Sequence, residues 1–156
     1  MTASDQDIAV HRSVNVPLPR ERAFELFTTR MGAFWPKEHS IGSADLADIV
    51  VQPEVGGRWY ERGVDGSECD WGSVAAWDPP GRVVLLWQVG AGWKFDPTLQ
   101  TEVEVEFTAD GPGRTRLDLT HRHLERYGDQ AEKMRSVFDS PGGWAGTLDA
   151  FARFTS

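Results

Sequence analysis

The residues of this chain best suited to chemistry are three histidines and a glutamate. His121 and His123 stand two apart in "RTRLDLTHRHLERYG", where Leu117 and Leu119 precede them at alternating positions. In a strand that alternation carries both imidazoles to the leucine face, about 6 to 7 Å apart. Imidazoles so spaced can join a carboxylate around a metal, act as general acid and base, or serve as polar fittings on a cavity wall. Glu61 in "GGRWYERG" alternates with Trp59 and is the available carboxylate. A carboxylate on a covered face is either paired or raised in pKa, and a raised one works as an acid or base. If the chain is an enzyme, His121 and Glu61 are its acid/base pair. The plainer readings stand beside these: a hydrogen-bonded or exposed histidine pair, and a Glu61 that faces solvent or pairs with Arg58. A two-histidine motif without a third ligand does not make a metal site, and none is expected.

His39, in "WPKEHS", falls in a loop after Pro36 and either caps a cavity entrance, exchanges a proton with a ligand, or simply bonds to backbone. Seven tryptophans, at positions 35, 59, 71, 77, 87, 93 and 144, are spread over nearly every element and so fill a core or line a cavity rather than forming one motif. Trp71, Trp87 and Trp93 are the best placed to meet a flat apolar guest, with Gly90 and Gly92 freeing Trp93 to gate an opening.

Other chemistries are excluded. Ser43, Ser73 and Ser140 lack the nucleophile-elbow surroundings. Gly56-Gly57 and Gly142-Gly143 lack phosphate-loop spacing, so no nucleotide cofactor is expected. Cys69 is the single cysteine, which rules out an internal disulfide. With 24 acidic against 16 basic residues and a net charge of -8, the chain repels nucleic acid and anionic membrane surfaces. It has no stretch of roughly 18 apolar residues and no signal-like start, and the default location is cytoplasmic.

The elements that must position these residues follow from periodicity. After a tail at residues 1–6, strands are expected at 8–16, 46–52, 57–62, 68–77, 82–89, 101–108 and 115–124. In "TEVEVEF", Val103, Val105 and Phe107 face one way and Glu102, Glu104 and Glu106 the other, giving a sheet with one covered face. Ala23, Phe24, Phe27 and Met31 form the apolar side of a helix opened by Pro19. A helical turn at 32–35 leads to an exposed loop with Lys37, Glu38 and His39, and a short helix is expected around 129–137. Trp144, Leu148 and Phe151 recur at helical spacing in a final amphipathic helix.

This order of elements resembles the helix-grip fold of the START and birch-pollen-allergen-like superfamily, SRPBCC. The phrases "VPLPRERAFELFT", "FWPKEHSIG", "VGGRWYERGVDGSECDWGSVAAWDPPGRVVLLW" and "GGWAGTLDAFARF" are similar to its bacterial branch related to the activator of the heat-shock-chaperone ATPase. The resemblance covers nearly the whole chain as a single domain. It implies an α+β fold, a curved antiparallel sheet of about seven strands wrapped around a long C-terminal helix, with a hydrophobic cavity between them. Members bind lipids, hormones or aromatic natural products, some are cyclases or dehydratases, and the chaperone-activator relatives act through protein contact. The family pattern has a small residue, often glycine, where this chain has His123.

The expectation is therefore a pocket for a small hydrophobic or aromatic molecule, with Trp59, Trp71, Trp87, Trp93, Trp144, Leu148 and Phe151 supplying area and Glu61, His121, His123 and His39 supplying orientation. Binding without catalysis leads. A cyclase, dehydratase or hydrolase acting on an aromatic or polyketide-like substrate is the alternative, and a protein-interaction accessory domain the third reading. A homodimer is compatible with the chain, since two-fold assemblies are common.

Overall fold

The computed structural model describes residues 8–36, 39, 41–42 and 44–155. The expected N-terminal tail, Lys37, Glu38 and Ser43 lie outside the described residues. The strands are β1 (Val10–Val16), β2 (Leu46–Val51), β3 (Arg58–Gly63), β4 (Glu68–Asp78), β5 (Arg82–Trp87), β6 (Thr101–Ala109) and β7 (Thr115–Arg122). They form one antiparallel sheet in the order β1-β7-β6-β5-β4-β3-β2. Helices α1 (Arg20–Thr29) and α2 (Met31–Phe34) connect β1 to β2, and a 3-10 stretch at Leu124–Gln130 leads to α3 (Ala131–Asp139) and α4 (Trp144–Thr155). The sheet curves around α4, which is the helix-grip architecture.

Alternation builds the inner face. Thr101, Val103, Val105 and Phe107 of β6 are buried, as are Thr115, Leu117, Leu119 and His121 of β7. On the outer face Arg122 pairs with Glu102 at 2.8 Å and Glu104 at 3.0 Å, and Arg82 meets Glu104 at 2.5 Å. Partial burial opposes ionisation of Glu104, but the hydrogen bonds and charges of Arg82 and Arg122 outweigh it and hold the carboxyl below its ordinary range.

Beneath α4 the core divides into two aromatic clusters. Near the helix C-terminus Phe151 meets Phe27 and Phe34 at ring separations of 5.3 and 4.8 Å, and Phe27 meets Phe107 at 5.8 Å. Near the N-terminus Trp144 stands 5.7 Å from both Trp35 and Trp87, which join Trp71 and Trp59. The phenylalanine half is filled; the tryptophan half leaves room.

A bulge shapes that room. Trp59 pairs with Gly72 and Tyr60 with Asp70, so Trp71 is the extra residue of β4, a device that re-aims a side chain. Gly72 lies opposite Trp87, and a Cβ there would penetrate the Leu86 carbonyl. Gly72→Ala must push β5 away from β4, and is expected to cost about 2 kcal/mol, an overpacking penalty, read as a lower urea midpoint at unchanged m-value.

The strand alternation fails at His123. β7 ends at Arg122, and His123 adopts a left-handed conformation with φ 67°. The reversal lets Leu124 go under fully buried while its N–H reaches the Ile8 carbonyl at 2.9 Å. His121 and His123 therefore do not share a face: one is enclosed, and the other sits at the surface with Nδ1 3.5 Å from Glu125 and Nε2 3.9 Å from Glu102. A left-handed position suits glycine, the kind of residue the family resemblance leads one to expect here.

Candidate functional site

A pocket of about 510 Å³ opens between the sheet and the helices. Its inner wall is Trp71 of β4 and Trp87 of β5. Phe138 of α3 and Trp144 and Thr147 of α4 close another side, and Trp35, His39 and Ile41 of the segment after α2 a third. Ser140, Gly142 and Gly143 line it from the α3–α4 connection. Trp93 and Val137 stand at the rim, 43% and 37% exposed. The turn bearing Trp93 is closed by hydrogen bonds from its N–H to Gly90 at 2.9 Å and from Gly90 N–H to Lys94 at 2.8 Å, with Trp93 itself at φ 61°.

The wall indoles share one feature. Each of the four buried ones donates its N–H to a protein acceptor: Trp35 to the His39 carbonyl at 3.2 Å, Trp71 to Glu61 Oε1 at 3.0 Å, Trp87 to Tyr127 Oη at 3.0 Å, and Trp144 to His121 Nδ1 at 3.1 Å. The rings are thereby fixed, and what they offer a guest is carbon surface and π-electrons.

The acceptors explain the buried polar residues. Glu61, 2% exposed, takes the Trp71 indole and, from the loop, the N–H groups of Ile41 at 2.6 Å and Gly42 at 3.1 Å. All three partners are donors, the complement of a carboxylate. His121 accepts from Trp144 at Nδ1, so its proton rests on Nε2, which donates to Thr101 Oγ1 at 2.8 Å; that hydroxyl donates to the Trp87 carbonyl at 2.8 Å. Enclosure with no counter-charge depresses the imidazole to about 3, so it is neutral at ordinary pH. The Tyr127 hydroxyl donates in turn to the Val89 carbonyl at 2.6 Å, and burial pushes the phenol well above its ordinary value, partly offset by the Trp87 indole.

The sequence-derived acid/base pair thus needs correction. Glu61 on β3 and His121 on β7 are separated by β4, β5 and β6 in the sheet, and every polar atom of both side chains is engaged in holding a wall indole or the loop. Neither lines the pocket. Trp59 lies behind Trp71 with its N–H 3.3 Å from Met31 Sδ, and Leu148 and Phe151 are fully enclosed core residues. His123 lies outside the cavity. Trp71, Trp87, Trp93, Trp144 and His39 do line it. Sequence reasoning passed over Trp35, Ile41, Phe138 and Thr147; Trp35 was legible in "FWPKEHS", since it sits one turn from His39. Among the described residues no three His, Cys, Asp or Glu side chains gather where they could hold a metal ion, and no helix is long and apolar enough to cross a membrane.

A curved sheet gripping a terminal helix over a ligand-sized aromatic cavity defines a class, and this chain belongs to it: the START-like helix-grip superfamily, SRPBCC. It is similar to the anthrahydroquino-γ-pyrone synthase Txn09, at 38% identity over 95% of this chain and 97% of that one, with a TM-score of 0.66. The self-sacrificing resistance protein CalC from Micromonospora echinospora shares 31% identity over 94% and 93% of the two chains, with a TM-score of 0.68. An HSP90 activator from Plasmodium falciparum, 22% identical over 74% of this chain and 73% of that one at a TM-score of 0.53, shares the fold. Four others of this fold, from Nitrosomonas europaea, Mycobacterium smegmatis, Staphylococcus saprophyticus and Mesorhizobium loti, carry names that state no reaction. No protein-family model matches the chain, and no curated protein matches it.

Proposed function

We propose that this protein takes a flat polycyclic aromatic molecule of polyketide type into the tryptophan pocket and closes a ring on it. The observation that carries the reading is the wall itself: four buried indoles, Trp35, Trp71, Trp87 and Trp144, whose N–H groups are committed to protein acceptors, around about 510 Å³, in the range of small-molecule sites, roughly 300 to 1,000 Å³. Such a wall gains area burial and ring packing from a planar guest. The similarity to a synthase named for an anthrahydroquino-γ-pyrone supports both the shape of the guest and a ring-forming reaction. A second reading, capture of such a molecule without turnover, is favoured by the similarity to a self-sacrificing resistance protein.

Titration with 2-hydroxyanthraquinone, followed by tryptophan fluorescence, tests the common part. Quenching is expected in the wild-type protein and at least tenfold weaker affinity in Trp71→Ala, about 1.4 kcal/mol of lost stacking and area, while palmitate does not compete. Incubation with a hydroxyanthraquinone bearing an enone beside the hydroxyl separates the readings. Ring closure gives a product of unchanged mass and shifted retention; bound but unaltered compound favours capture. Failure of the anthraquinone to quench, with palmitate binding instead, sinks both.

A further inference from the structure

We propose that His39 is the residue that exchanges a proton with the bound aromatic at the pocket mouth. This rests on the aromatic-substrate reading above and assigns its proton-transferring group.

Ring closure by a hydroxyl needs somewhere for the hydroxyl proton to go, and among the described lining residues His39 is the only titratable side chain. The hydroxyls present are committed as donors, Ser140 Oγ to the Val137 carbonyl at 2.7 Å and Thr147 Oγ1 to the Gly143 carbonyl at 3.3 Å. His121 and Glu61 are engaged behind the wall.

His39 is placed by its backbone, not its ring. Its N–H donates to the Pro36 carbonyl at 3.0 Å and its carbonyl accepts the Trp35 indole at 3.2 Å, so the same wall ring that borders the cavity sets where the imidazole stands. His39 borders the space, and its imidazole, at an exposed position, makes no hydrogen bond among the described residues. A guest whose polar edge would be unsolvated against Trp71, Trp87 and Trp144 must leave that edge at the mouth, toward His39.

The other charged and titratable groups near this segment are accounted for. Glu61 on β3 and Cys69 on β4 approach it at Gly42, Glu61 bonded to Gly42 N–H and burial pushing the Cys69 thiol up. Asp139, beside Ser140, is turned to Arg12. Lys37 and Glu38 flank His39 in sequence and lie outside the described residues.

The step balances without an oxidant. The substrate O–H bond breaks and its proton passes to the imidazole. The phenolate oxygen forms a bond to the carbon β to a conjugated ketone, and the π-electron pair moves toward the ketone oxygen. The imidazolium then returns the proton to the α-carbon, leaving an isomer of the substrate and a neutral His39.

Bound 2-hydroxyanthraquinone reports the first half of this step directly, because its visible absorption changes when the phenol ionises. An apolar pocket alone raises a phenol's ionisation midpoint, whereas an imidazolium that holds the transferred proton pairs with the phenolate and lowers it. The expected result is a midpoint at least one pH unit below that of the free probe in the wild-type protein and above it in His39→Gln, with fluorescence-detected affinity at acidic pH changed less than threefold. The variant alters an exposed side chain whose backbone does the anchoring, and its melting temperature should match wild type. Equal midpoints in the two proteins, with binding intact, overturn the role of His39 and leave the aromatic site standing; absence of binding in both removes the site itself.

Discussion

Glu61→Gln is expected to destabilise the protein by about 2 to 3 kcal/mol, and Glu61→Ala by about 4, although neither residue change touches a ligand. Glutamate answers three donors, the N–H groups of Ile41 and Gly42 and the indole of Trp71, with two oxygens. Glutamine has one. If its oxygen takes the Ile41 and Trp71 side, its NH₂ confronts the Gly42 N–H; the reverse placement abandons two donors. Alanine leaves all three unanswered in a site that is 2% exposed, where each buried orphan costs about 1 to 3 kcal/mol, partly recovered as water enters.

The loss reaches the pocket as well as the fold. Ile41 and His39 border the cavity, and the segment that carries them is tied to the sheet through Glu61. Both variants should lose aromatic affinity at least tenfold while keeping far-UV circular dichroism, and the loop amides should exchange faster with solvent. Urea midpoints within 0.5 kcal/mol of wild type, with affinity unchanged, would falsify the view that this carboxylate is the loop's anchor.

Much of this architecture was legible because alternation is a local property. "TEVEVEF" and "RTRLDLTH" reported their covered faces correctly, since period two depends only on the pleat. The error at His123 came from the same rule applied one residue too far: the left-handed backbone there answers the burial of Leu124, a tertiary demand. The partners of the wall indoles were beyond a local reading for a related reason. Trp87 finds Tyr127 across 40 residues and Trp144 finds His121 across 23, pairings that depend on where the 3-10 stretch and α4 settle. Ionisable residues on a covered face looked like a catalytic pair because sequence shows a buried polar group before it shows what that group is bonded to. Their burial was the cost of holding tryptophans still.

Stability of the wild-type protein is expected to fall by about 1.4 kcal/mol for each pH unit below about 6.5 on account of His121 alone, to a total on the order of 4 to 5 kcal/mol near pH 3. Above pH 6.5 the imidazole is neutral in both folded and unfolded chains and contributes no slope. Below it the unfolded chain takes up a proton that the folded chain refuses, because burial strips the ring of the water that would solvate its charge, and its Nδ1 already holds the Trp144 N–H. A depressed pKa therefore gives stability that is present in full above 6.5 and lost progressively down to about 3. Carboxylates such as Glu104, also held low, add their own loss at acid pH, so the informative quantity is the difference between wild type and His121→Gln. Glutamine can accept the Trp144 indole but does not titrate, so the variant should start below wild type at pH 7, and the gap should narrow and then reverse as the solution is acidified. Parallel stability curves would mean that His121 binds its proton equally well in both states, and that the Trp144 indole is not anchored by a neutral ring.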